Sequence, residues 1–143
     1  RSGQFTGGCG MTSLSDLSHS NKERQKVWGG SDEIDIAFRG LELGGEVGEL
    51  QNLMKKLIRS RKNITGNSYA DEYELLGAIA EELADVVICA SLIANDLGID
   101  LDHAVPVKFN RTSRKYNIDA EFIHSQQVTQ VTEADWKLGN GSA

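Results

Sequence analysis

Apolar positions along this chain recur at intervals of three and four, with almost no strict alternation. That period belongs to α-helices rather than to strands. The pattern predicts four helical stretches. The first runs from about Ser13 to Trp28 and stops at Gly29-Gly30. Ser31 offers an N-cap for the second, with Asp32 and Glu33 favouring the dipole of its first turn. That helix reaches about Arg61, and Ile36, Leu43, Val47, Leu50, Met54 and Leu57 mark its apolar face. A polar loop, "RKNITGNSYADE", precedes a third helix over about Asp71 to Leu97, with Gly98 as its stop. The fourth starts at Asp100 or Asp102 and ends near Tyr116. With Asp102 as N-cap, Pro106 removes only the first intrahelical hydrogen bond; an earlier start would kink the helix. A short helix is expected over 120–127, followed by a polar tail.

An all-α chain with mostly short connections predicts an antiparallel helical bundle of about four main helices. The third helix is apolar almost all round, so it is either central or covered by a second subunit. Completion of the bundle by oligomerisation, as a homodimer or homotetramer, is therefore expected. Gly40, Gly44, Gly45 and Gly48 weaken the second helix by roughly 1 kcal/mol each. Close helix–helix contact, or a neighbour needing the room, would offset them.

Composition narrows the class. The 143 residues suffice for one core. Residues 1–10, "RSGQFTGGCG", look like an added leader before a native start at Met11. The expected division is that leader, a helical domain over 11–118 and a C-terminal extension over 119–143. A net charge of −6 argues against stable nucleic-acid binding. Cys9 and Cys89 make no disulfide framework, so a cytoplasmic location is expected. No apolar run reaches the length of a membrane span.

Within the apolar helices sit paired acids. Glu46 and Glu49 are three apart on the second helix and share a face; Glu82 and Asp85 repeat that spacing on the third. Both pairs border the apolar faces that should meet. Four carboxylates at close quarters repel one another, and a divalent cation removes the conflict. Oxygen-only ligands suit Mg²⁺ or Mn²⁺. A single ExxE is more often a solvated helix face. A di-iron site needs two Glu-x-x-His motifs, whereas only Glu121–His124 is present. Near the end of the fourth helix, "VKFNRTSRKY" concentrates Lys108, Arg111, Arg114 and Lys115 around Asn110 and Tyr116. Such a cluster is either a helix end favouring its own dipole or a phosphate clamp. Lys56 lies two turns beyond Glu49, within reach of the same ligand.

The ordered set Glu46-Val-Gly-Glu49, Glu82-Leu-Ala-Asp85 and "KFNRTSRKY" resembles the MazG-like all-α nucleoside triphosphate pyrophosphohydrolases, over roughly Asp32 to Tyr116. The resemblance implies Mg²⁺-dependent hydrolysis of a nucleoside triphosphate, expected to be a dNTP, to the monophosphate and pyrophosphate in nucleotide-pool house-cleaning. It implies dimers or tetramers whose sites can include residues from a neighbouring subunit. Glu46, Glu49, Glu82 and Asp85 would hold the metal, and Glu49 or Glu46 would activate water. Lys56, Lys108 and Arg111 would contact phosphates, and Asn110 a sugar or phosphate. Trp28, Phe38 and Tyr116 are candidates to stack on a base, against the commoner role of such aromatics as core residues. Gly45, where many relatives carry an acid, and Pro106 depart from the family pattern. A nucleotide sensor that binds without cleaving, a helical interaction module and a phosphoribosyl-ATP pyrophosphohydrolase are the competing readings.

Overall fold

A computed structural model describes residues 13–28, 34–66, 69 and 71–123. Four helices follow in order: α1 (Leu14–Val27), α2 (Ile36–Arg61), α3 (Glu72–Asp96) and α4 (Leu101–Lys115). No strand occurs among the described residues. The long pair α2 and α3 forms the most extensive packing, α1 lies on α3, and α4 rests on α1. The all-α bundle expected from the periodicity is what forms.

Local chemistry sets each helix end. Ser13 and Asp16 close a capping box at the start of α1. Asp35 caps α2 by accepting the Phe38 N–H at 2.8 Å; Ser31, Asp32 and Glu33, expected at this start, lie outside the described residues. The helix thus begins later than Asp32 and Glu33 suggested. Asp71, the expected start of the third helix, is the N-cap of α3. Asp100 caps α4, its carboxylate accepting the N–H groups of Asp102 and His103. Pro106 therefore lies inside the helix and is buried. Asp102 is diverted to α1, where its carboxylate accepts the backbone N–H and the hydroxyl of Ser15.

Three C-termini end alike. Asn63, Gly98 and Asn117 take left-handed backbone (φ 52°, 66° and 52°). Ile64, Ile99 and Ile118 then donate back to the carbonyls of Arg59, Ala94 and Ser113, the hydrogen bond of a Schellman stop. After Asn117 the chain turns back along α4. Phe122 donates its N–H to Asn110 Oδ1 at 2.6 Å and packs edge-on to Phe109. That tie replaces the short helix expected from 120, since residues 118–123 are not helical. The rest of that stretch, 124–127, lies outside the described residues, as do His124 and the leader over 1–10.

The core centres on Leu53 of α2, Leu75, Cys89, Leu92 and Ala94 of α3, and Val107 of α4. Leu43, Val47, Leu50 and Leu57 are half-buried beside it. Ile36 and Met54, assigned to the same face by their spacing, are each half exposed. The buried face is therefore rotated toward Glu46, Leu50 and Leu53. A Cβ added at Gly40, Gly44, Gly45 or Gly48 would meet nothing within 4 Å. Close contact within the chain does not explain these glycines.

Candidate functional site

Because the buried face of α2 runs through Leu50 and Leu53, the acids beside it are carried into the seam with α3. One carboxylate oxygen from each of Glu46, Glu49 and Glu82 lies within 4.8 Å of the other two. Glu46 and Glu82 are half-buried and Glu49 is exposed, so the group has a closed side and an open side. Asp85, the fourth acid expected here, is exposed and stands outside this group of three. It is still close enough to raise the pKa of both Glu46 and Glu82.

Electrostatics make the group unstable alone. Burial pushes Glu46 above the ordinary glutamate value, and Asp85, Glu49 and Glu42 push it further. Burial also raises Glu82, followed by the charges of Glu49, Glu46, Asp85 and Glu81. The Glu82 Oε2 atom is sealed from solvent and has no hydrogen-bond partner among the described residues. No ion pair reaches Glu46, Glu49, Glu82 or Asp85 among the described residues. Three carboxylates at this spacing, one of them with a sealed oxygen that no described donor reaches, make a place a cation fits. Hard oxygen donors at this spacing match a small divalent ion.

The buried arginine of α2 serves another purpose. Arg39, only 5% exposed, sends its guanidinium to Glu42 (3.0 Å), Asp96 (3.1 Å) and Gln25 (3.0 Å). It ties α1, α2 and α3 together and neutralises Glu42, the acid one turn before Glu46. The sequence carries no local sign of this role, because two of the three acceptors come from other helices. Cys89, one turn beyond Asp85, is a free buried thiol whose pKa is raised by burial and by the same acids.

The residues expected to bind substrate are less gathered. Lys56 Nζ lies 5.0 Å from the ring centroid of Tyr69, in the loop after α2. Lys108 and Arg111 are exposed on α4, a helix that packs on α1 rather than along the acidic seam. Asn110 is buried and uses its carbonyl oxygen to hold Phe122. Trp28 and Tyr116 are 66% and 63% exposed and lie under Arg24 and Lys115. Phe38 is 45% exposed. The structure therefore unites three acids expected to share a metal, leaves the fourth at their margin, and spreads the basic and aromatic residues over other surfaces.

No helix among the described residues is long and apolar enough to cross a membrane. Comparison with family models gives a match to the MazG-like family over residues 42–131, well over half of the chain. That span contains both acidic motifs and the basic segment. No curated protein matches the chain significantly.

Proposed function

Since the chain belongs to the MazG-like family, we propose that it hydrolyses a nucleoside triphosphate, a deoxynucleotide by preference, to the monophosphate and pyrophosphate. Nucleotide pyrophosphohydrolase activity is what the family suggests. The observation that carries the reading is the convergence of one carboxylate oxygen from each of Glu46, Glu49 and Glu82 within 4.8 Å, beside a Glu82 Oε2 with no partner among the described residues. These three would hold Mg²⁺, or Mn²⁺ in its place, with Asp85 adding negative charge at the margin. A bound divalent cation supplies positive charge to the triphosphate oxygens and lowers the pKa of water.

The remaining work falls to side chains. Glu49, on the open side, would orient an incoming water and accept its proton. The water oxygen forms a bond to the α-phosphorus as the bond from that phosphorus to the bridging oxygen breaks. The electron pair leaves with pyrophosphate, and the proton rests on the carboxylate. Glu46 is the alternative base, but its half-buried position gives water less access. Lys56, Lys108 and Arg111 are the proposed phosphate contacts, Asn110 a sugar or phosphate contact, and Trp28 and Tyr116 the surfaces for a base.

A second copy of the chain is part of this proposal. Leu76, Leu83 and Val87 are 44%, 48% and 47% exposed. They lie seven and four residues apart on α3, on one stripe. An exposed apolar stripe of this kind marks an interaction surface. Covering it in a homodimer or homotetramer would finish the bundle and carry basic residues of a neighbouring chain toward the seam. A free Cys89 thiol fits a cytoplasmic setting.

A pyrophosphate-release assay over a panel of dNTPs and NTPs, with saturating Mg²⁺ and H₂¹⁸O as solvent, tests the reading. Release of pyrophosphate with the label in the monophosphate is expected. Mg²⁺-dependent binding without release would make the chain a sensor, and neither binding nor release would contradict the proposal.

A further inference from the structure

A cleft of about 390 Å³ opens between α1, the C-terminal end of α3 and the start of α4. Ser91, in its wall, is nine residues beyond Glu82 on the same helix. At about 100° per residue the two point to opposite sides, so the cleft faces away from the acidic seam. Its size falls at the lower end of the range for small-molecule sites, and it has their mixture of apolar walls and few polar groups. Leu14 and Ala94 supply apolar surface, while Ser91 and Lys22 supply polar chemistry.

Two of those groups have no partner. Ser91 lines the cleft and is 1% exposed, and its sealed Oγ makes no hydrogen bond among the described residues. A helical serine ordinarily returns its proton to the carbonyl one turn back, and an unpaired buried hydroxyl costs stability. Lys22 makes no ion pair among the described residues. The neighbouring polar groups are already engaged. Ser18 and Asn95 bond to each other, at 2.5 Å and 3.1 Å. Asp100 is occupied by the first amides of α4, and Asp102 by Ser15. His19, one turn before Lys22, helps lower the pKa of Asp16 and Glu23 on its own helix. The groups left for a ligand are a deep hydroxyl and an ammonium at the rim.

We propose that this cleft binds a compact organic anion, with its apolar body against Leu14 and Ala94, a carboxylate or phosphate oxygen on Lys22, and a hydrogen bond to Ser91. This site is separate from the acidic seam and does not depend on hydrolysis.

The test is titration of the full chain, without nucleotide, by ¹H–¹⁵N NMR. Benzoate and phenyl phosphate serve as the anionic probes and benzyl alcohol as the neutral one. Saturable shifts centred on the amides of Ser91, Asn95 and Leu101 are expected for at least one anion; the anion that binds identifies the headgroup. Ser91→Ala, which removes no existing bond, should weaken binding about fivefold. Lys22→Gln, at the rim, should weaken it about tenfold. Three results would overturn the site: no saturable shifts there with either anion, equal binding of benzyl alcohol, or unchanged affinity in both variants.

Discussion

The guanidinium of Arg39 meets the carboxylate of Asp96 at 3.1 Å across 57 positions of sequence. The same side chain reaches Glu42 and Gln25 and is itself almost fully buried. It is the polar pin through three helices. Both carboxylates are over a third exposed, so part of their loss is made good by water. Arg39→Met should cost about 2 kcal/mol in urea unfolding. Arg39→Lys should recover little, because one ammonium cannot span three acceptors in the planar fork.

Glu82 presents the opposite case, a buried oxygen with neighbours of its own sign. Glu82→Gln removes one charge from the repelling group. In chelator-treated protein the melting temperature should therefore rise. The stabilisation that added Mg²⁺ gives the parent should shrink in the variant, because a ligand that binds only the folded state stabilises by its affinity. Thermal scans with and without Mg²⁺ check both halves.

A third expectation concerns the outer side of α2. A Cβ at Gly44 meets nothing within 4 Å. Gly44→Ala should thus stabilise the chain by about 0.5–1 kcal/mol through helix propensity alone. Chemical denaturation measures it; a loss of stability would mean that another chain occupies that surface.

The apolar stripe on α3 has a direct test. Leu83→Glu and Val87→Glu together place two charges on a surface proposed to be covered. Sedimentation of the parent should give a multiple of 15.6 kDa, and the double variant should sediment as one chain. A parent of that single mass would remove the partner from the proposal.

At the start of α1 the pKa of Asp16 is lowered below 3.8, chiefly by the backbone hydrogen bond from Ser13. A depressed carboxylate contributes stability above its unfolded value and loses it as pH falls through the folded one. Asp16→Ala should therefore be less stable than the parent at neutral pH. The gap should close as pH falls below about 3.8 in matched denaturation series.

The helices were legible in the sequence because their signals are local. Asp71 and Gly98 do what a capping carboxylate and a left-handed stop do wherever they occur. The choice among several competent caps was not legible. Ser31 and Asp35 both suit an N-cap, and the decision between Asp100 and Asp102 follows from Ser15, 87 positions away, which draws Asp102 off. Glu46, Glu49 and Glu82 could be found because three-residue spacing beside an apolar stripe puts acids into a helix seam. Asp85 lies at the margin of that group, because the spacing says nothing of how far along the seam the facing helix has its acids. Arg39 and Ser91 carry no pattern at all. Their roles come from which helix ends up opposite them.

The most direct measurement is turnover of Glu49→Gln at saturating Mg²⁺ on the nucleotide the parent cleaves fastest. That change keeps the side chain's shape and removes its charge. A fall of at least ~10²-fold is expected for loss of a metal-holding or proton-accepting carboxylate. Turnover within about twofold of the parent would contradict the acidic seam as the place where the triphosphate is cut.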